Sequence, residues 1–317
     1  MPDILFLKTS SLGDVIHHMP AVTDARRQRP GAEISWVVEE AFAPLVALHP
    51  AVNHVIPVAS RRWRRALWRP ATWHDMRVFA SALRSEHHDT IVDTQGLLRS
   101  AVIARLARGE RHGYNLASVR ERAAALFYDM RHPVDRSLHA IARNRLLTGH
   151  ALGYVPEGPP VYGLDARRGA AGGRSSAVLL HGTARAAKQW MPERWHTIAR
   201  ALTSSGFEVV LPSGSEAEFA RSKTIAGDLE AVRFLDREPL DAVARAMADA
   251  DLVVGVDTGL LHLAAALQVP LVAIFVGASS PQLTGPMGSG PIEVLGSNGT
   301  VPSAADVAAA IDKVLSR

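Results

Sequence analysis

Two short stretches, one in each half of the chain, constrain the fold more than any other feature. Leu7–Asp14 (L-K-T-S-S-L-G-D) follows the apolar run Ile4–Leu7, and Val256–His262 (V-D-T-G-L-L-H) follows Leu252–Val256. Each puts small residues and an aspartate where a buried strand gives way to a helix. In an open α/β sheet, ligands bind outside such carboxyl ends of strands. Two of these turns, far apart in sequence, predict two sheets facing one cleft.

The rest of the chain agrees with that frame. Expected strands are Ile4–Leu7, Ile34–Val38, His54–Val58 and Thr90–Asp93, then Ala177–His181, Glu208–Leu211, Arg233–Leu235, Leu252–Val256, Leu271–Val276 and Ile292–Leu295. Helical stretches between them include Pro20–Gln28, Ala80–Glu86, Trp195–Ser205, Leu240–Ala248 and Gly259–Leu267. Such alternation reads as βαβ units with parallel sheets. Gly158-Pro159-Pro160 and the Gly-, Ala- and Ser-rich Arg167–Ser176 interrupt it midway and predict a linker. The fold class is therefore α/β, with two Rossmann-like domains over 1–165 and 166–317. A last helix within 303–317 starts at a Ser303 cap and can pack back on the N-terminal domain. One large doubly wound sheet is the alternative.

Composition narrows the function. The 317 residues include no cysteine, which excludes disulfides, thiolate metal sites and thiol catalysis, and fits a reducing compartment. No apolar stretch approaches the roughly 20 residues of a membrane-spanning helix, and the N-terminus lacks a signal-peptide pattern. A cytoplasmic address is expected. Residues 1–165 hold 21 Lys and Arg against 16 Asp and Glu, whereas residues 166–317 hold 14 against 15. The basic excess belongs to the first half and implies an anionic partner there: nucleic acid, a phosphorylated substrate or an acidic membrane surface.

Several side chains carry candidate chemistry. Asp14, after Ser10, Ser11 and Gly13, can act as a general base in the cleft or as a helix cap, a role aspartate fills well. Asp257-Thr258-Gly259 opens a helix whose free N–H groups suit a diphosphate, with His262 in the first turn. There too, capping and packing are the alternatives. His181–Lys188 follows a strand, and Thr183 and Lys188 can meet a phosphate; a solvated loop is the alternative. Arg61, Arg62, Arg64 and Arg65 present four guanidiniums for a multiply anionic ligand or form a solvated basic surface. Arg99 and Arg120 are further candidates. Zincin, hydrolase-elbow and dinucleotide glycine motifs are absent, and Asp249-Ala250-Asp251 precedes its strand, at the wrong edge of the sheet for a ligand.

Five segments in order resemble glycosyltransferase family nine, the lipopolysaccharide heptosyltransferases. They are K-T-S-S-L-G-D at 8–14, W-V-V-E-E at 36–40, V-I-P-V-A-S-R-R-W-R at 55–64, D-T-Q-G-L-L-R-S at 93–100 and G-V-D-T-G-L-L-H at 255–262. W-V-V-E-E and R-R-W-R favour the branch that adds the first heptose over the branch that adds the second.

The resemblance implies a GT-B fold with an N-terminal acceptor domain and a C-terminal ADP-sugar domain. It implies inverting, metal-independent transfer of L-glycero-D-manno-heptose from ADP-heptose, a co-substrate rather than a cofactor, to the inner Kdo of Kdo2-lipid A. Asp14 matches the catalytic base, and Lys188 assists departure of ADP. Thr183, Ala184, Lys188, Glu218, Glu238, Asp257, Thr258, Gly259, Leu260 and His262 match donor positions. Ser10, Gly13, Arg61, Arg62, Arg64, Arg65 and Arg120 match the acceptor site. Ala184 stands where a second threonine is common and Glu238 where a methionine is seen. In Lys188-Gln189-Trp190-Met191-Pro192 the proline is displaced by one. The implied setting is the cytoplasmic face of the inner membrane, peripherally on its anionic surface, with no nucleic-acid partner. The second heptosyltransferase or another transferase of the family is the near rival. A non-catalytic nucleotide- or RNA-binding protein is the distant one.

Overall fold

The computed structural model of the protein describes residues 3–164, 174–183, 189–276, 285–296 and 300–317. It divides into two compact units, Met1–Gly163 and Leu164–Arg317, each with its own six-stranded sheet. A single shared sheet does not form.

In the first unit β1 (Asp3–Leu7), β2 (Glu33–Glu39), β3 (His54–Val58), β4 (His87–Asp93), β5 (Arg108–Tyr114) and β6 (Met130–His132) lie in the order β3-β2-β1-β4-β5-β6, all parallel. Its α-helices are α1 (Leu12–Ile16), α2 (Met19–Gln28), α3 (Ala43–Val46), α4 (Ser60–Arg65), α5 (Pro70–Ser85), α6 (Leu98–Leu106) and α7 (Ala140–Leu152). Strands covered on both faces must be apolar along their length. Accordingly, Ile4-Leu5-Phe6-Leu7 is buried throughout.

The second unit repeats the plan. Strands β7 (Ser176–Leu180), β8 (Glu208–Ser213), β9 (Val232–Asp236), β10 (Leu252–Val256), β11 (Leu271–Ile274) and β12 (Ile292–Leu295) run parallel in the order β12-β11-β10-β7-β8-β9. Its helices are α8 (Pro192–Ser204), α9 (Glu216–Ala226), α10 (Leu240–Ala248), α11 (Gly259–Ala266) and α12 (Ala304–Leu315). The core of this unit takes Trp190, Trp195, Val254, Ile274 and the buried face of α12, Val307, Ala310, Ile311 and Val314. The last helix therefore buries its apolar face within its own unit. Its periodic apolar face is fully used there.

Both sheets reverse their winding once, between β1 and β4 in the first and between β7 and β10 in the second. Each reversal leaves a crevice at the carboxyl edge, where flanking connections diverge to opposite faces.

Candidate functional site

At the first reversal, β1 and β4 release two loops side by side. Asp93 organises the loop after β4. Its Oδ1 accepts the N–H groups of Gln95 (2.9 Å) and Gly96 (3.2 Å), and its Oδ2 accepts the Tyr128 hydroxyl at 2.7 Å. Burial raises the pKa of this carboxyl, against the pull of those hydrogen bonds. Gly96 turns at φ +66°, a conformation glycine adopts at no steric cost. Gln95 thereby reaches the loop after β1, where its Oε1 accepts the N–H groups of Thr9 and Ser10, each at 3.1 Å. Trp36 donates to the Lys8 carbonyl, and Arg99 donates to the Ser10 hydroxyl. The loop carrying Ser10 and Ser11 is thus held by β2, by the Asp93 turn and by α6. Gln95 Nε2 and Arg99 Nε are buried donors without a partner among the described residues.

Asp14 is the third residue of α1, behind buried Gly13. Ser11 holds the N-cap position, and Asp14 supports it from inside the helix through Oδ2, which accepts the Ser11 N–H at 3.0 Å. Arg120 Nη1 reaches the same oxygen at 3.3 Å. Among the described residues, all hydrogen bonds to this carboxylate fall on Oδ2, and the side chain stays 21% exposed. Capping and substrate access therefore coexist. Burial pushes the Asp14 pKa up, but the charges of Lys8 and Arg120 and the Ser11 N–H outweigh it, and the net shift is down. Lys8 is buried, with Nζ donating to the Thr94 carbonyl (2.8 Å) and Asn144 Oδ1 (3.3 Å). Burial lowers its pKa to about 8, with Asp14 opposing the shift.

The arginine run lies on α4, at the carboxyl edge two strands from β1, hence roughly 10 Å across the sheet. Glu39 ties the start of α4 to β2 by accepting the Ser60 hydroxyl (2.6 Å) and the Arg61 N–H (2.9 Å). The four guanidiniums are not equivalent. Arg62 is paired with Glu40 (3.2 Å) and Asp75 (2.8 Å), whereas Arg61, Arg64 and Arg65 make no ion pair among the described residues. Arg61 stacks over Phe42 at 5.2 Å. An open cavity of about 510 Å³ beside them is lined by Arg61, Arg62, Arg65, Arg69, Trp68 and the two glutamates.

At the second reversal, His181-Gly182-Thr183 leaves β7 and Asp257-Thr258 leaves β10. Thr183 Oγ1 donates to the Asp257 carbonyl at 3.3 Å and joins the two loops. Thr258 holds the N-cap of α11 (φ −141°, ψ 162°) without a side-chain cap bond. The amides of the first helical turn, starting at Gly259 and Leu260, are thus uncapped by it and carry the positive end of the dipole. Glu218 belongs here. A Cβ on Gly182 would lie 2.8 Å from its Oε1, so a larger residue at 182 would displace this side chain, and its Oε2 accepts the Gly214 N–H at 2.7 Å. His262 is buried in the first turn of α11. Glu238 is exposed beyond β9, two strands from β7, and no hydrogen bond or ion pair ties it to these loops among the described residues. Ala184 and Lys188 lie outside the described residues. Among those described, no group of three or more His, Cys, Asp or Glu is placed to hold a metal ion, and no helix is long and apolar enough to cross a membrane.

Sequence reasoning singled out Asp14 but not Gln95, which holds the loop before it, Asn144, which pairs with Lys8, or the tie of Glu39 to α4. Lys8 gave a signal, a cation directly abutting an apolar strand; the amides gave none.

Three comparisons bear on this geometry. The family description Glycosyltransferase family 9 (heptosyltransferase) matches residues 76–308. Lipopolysaccharide heptosyltransferase 1 of Pseudomonas aeruginosa is 44% identical over 289 residues, covering 90% of this chain and 81% of that protein. The solved Escherichia coli heptosyltransferase WaaC with ADP is similar at a TM-score of 0.91 and 38% identity, covering 98% of this chain and 99% of that one. The same enzyme with ADP-2-deoxy-2-fluoro heptose gives 0.89 and 37%, with the same coverage.

Proposed function

The chain belongs to glycosyltransferase family 9, the heptosyltransferases, and from that premise we propose how it acts in lipopolysaccharide core assembly. It moves L-glycero-D-manno-heptose from ADP-heptose to the inner Kdo of Kdo2-lipid A, with inversion and without a metal. One observation carries the reading: an ionised, part-exposed Asp14 at the first reversal, with every hydrogen bond from the described residues on one oxygen. Oδ1 takes the proton of the acceptor hydroxyl as that oxygen attacks the anomeric carbon. Because Lys8 and Arg120 keep this carboxyl acidic, it is a weak base. The proton moves only as the new C–O bond forms and acidifies the hydroxyl. The bond from sugar to diphosphate breaks on the opposite face, through an oxocarbenium-like state. Charge on departing ADP falls to the α11 amides and, by resemblance, to Lys188.

A relative solved with ADP-2-deoxy-2-fluoro heptose supports an ADP-sugar donor here. The unpaired Arg61, Arg64 and Arg65 suit the phosphates and carboxylates of the acceptor. With the basic first half, they also suit the anionic cytoplasmic face of the inner membrane. Family membership removes the support for a non-catalytic RNA binder. Release of ADP is measured with Kdo2-lipid A, with the same acceptor already bearing one heptose, and with EDTA. We expect turnover on the first alone, unaffected by chelation. Turnover only on the heptosylated acceptor overturns the reading in favour of the second transferase. Arg61→Glu with Arg65→Glu should raise acceptor KM on the order of 100-fold, given the strength of charge-assisted hydrogen bonds. Arg62→Ala should do far less, since Glu40 and Asp75 already neutralise it.

A further inference from the structure

Beside the Asp14 loop, the first unit carries a groove that the proposed chemistry leaves unused. Helices α4, α5 and α6 cover one face of the sheet without closing over it, and an open cavity of about 680 Å³ remains between them. Its walls are Val58, Trp63, Met76, Phe79, Val102 and Leu106. Trp63 and Phe79 meet edge to face, with ring centroids 5.5 Å apart. Met76, Phe79 and Leu106 stay part-buried while packing against the core under the sheet, and Val102 beside them is 43% exposed. The volume is that of a ligand site, and an apolar concavity open to water marks a place where a partner is missing.

Polar groups at the rim say what that partner is. Arg64 on α4 lines the groove and makes no ion pair among the described residues. Arg99 on α6 also lines it and donates to Ser10 in the Asp14 loop. Glu121, the one carboxylate of the lining, is engaged by the Leu98 N–H at 2.6 Å, and its neighbour Arg120 reaches Asp14. The groove thus has two cationic side chains in a lining that is otherwise largely apolar, and one of them, Arg99, is hydrogen-bonded to the Asp14 loop. That polarity matches an amphiphile with an anionic root and a long alkyl chain, and neither a nucleotide nor a polar glycan. We propose that this groove binds one acyl chain of the lipid-linked acceptor, with Arg64 and Arg99 meeting an anionic group of the sugar headgroup that carries the chain. The proposal rests on the acceptor assigned above and gives the enzyme a way to read the lipid as well as the sugar.

The test uses the full-length protein and two readouts. In the first, a monomeric dodecyl phosphate brominated on its chain is titrated below its critical micelle concentration. Saturable quenching of tryptophan fluorescence is expected, absent in Trp63→Phe and weakened at least tenfold in Val102→Asp. In the second, kcat/KM is compared for the acylated acceptor and for the same acceptor stripped of its chains. The wild-type ratio should be at least about ten, and Val102→Asp or the milder Val102→Asn should bring it close to one. Quenching that persists in Trp63→Phe, or a ratio that stays the same in both Val102 variants, overturns the groove. Saturable Trp63 quenching with no turnover on either acceptor upholds the amphiphile site and overturns the acceptor assignment instead.

Discussion

In the first unit, the crevice between β1 and β4 is edged by Lys8, Asp14, Arg99 and Arg120. In the second, the crevice between β7 and β10 is edged by Gly182, Thr183, Thr258 and Gly259. Strand order and backbone plan are the same, so the difference lies in what fills the turn. The first places ionised side chains in a partly desolvated setting and needs a second layer to hold them. Asp93, Gln95, Trp36 and Asn144 supply that layer. The second offers backbone amides and needs only small residues that let a ligand approach. On the proposed reading, one fold serves proton transfer at one reversal and anion binding at the other, and the residues of the turn decide which.

The largest effect should come from breaking the first crevice alone. Asparagine at 14 keeps the shape and can still accept the Ser11 N–H, so the α1 cap survives. It cannot take a proton from the acceptor. Asp14→Asn should therefore lower kcat by about 10³-fold, within the range general base catalysis supplies. ADP affinity, measured by calorimetry, should change less than about twofold. Retained turnover removes Asp14 from the chemistry, and lost ADP binding would mean that the two crevices are not separable.

A buried cation next to that carboxylate gives a pH signature. The Lys8 ammonium titrates at about 8 in the folded protein against an ordinary 10.5. Between those values the unfolded chain binds a proton the folded chain has lost, so stability rises with pH across that window. Below about pH 8 the folded state bears the whole cost of the buried charge. Relative to Lys8→Met, the wild-type protein should gain about 3 kcal/mol between pH 7.5 and 10.5, from 1.36 kcal/mol per pKa unit. Urea unfolding of both proteins at both pH values checks it, because other titrating groups cancel in the difference. A flat difference means that Lys8 is not desolvated. The same variant should leave ADP affinity untouched.

How much of this was legible in the sequence depends on what each element buries. The ten expected strands all form, and the central ones, covered on both faces, are written as apolar runs. β5 (R-G-E-R-H-G-Y) and the three-residue β6 were invisible, since half of β5 is solvated and no run forms. α5 begins at Pro70, well before the expected Ala80, because its outward face carries Trp73 and Val78 and blurs the helical period. The placement of Asp14 and of the Asp257 turn just after buried strands was legible from position, whereas their roles came from the family resemblance. Gln95 and Asn144 were not legible, because long-range hydrogen bonds to backbone leave no local pattern. The arginine run was legible as charge, but its division, among the described residues, into one paired and three unpaired guanidiniums needed Glu40 and Asp75 in space.

The smallest expected effect sharpens the comparison from the second side. Aspartate is among the best N-cap residues, and Thr258 occupies an N-cap whose side chain makes no cap bond. Thr258→Asp should therefore leave the melting temperature level or slightly raised. If the α11 turn is an anion cradle, a fixed negative charge there competes with the diphosphate for the same amides and repels it. ADP affinity should fall on the order of 30-fold, about 2 kcal/mol, close to the worth of one charge-assisted hydrogen bond. Acceptor KM should stay within about twofold, since the first crevice is untouched. A stable variant that still binds ADP at the wild-type level would strip the second crevice of its assigned role. Destabilisation and lost affinity together would instead mean that Thr258 holds the helix up rather than receiving the donor.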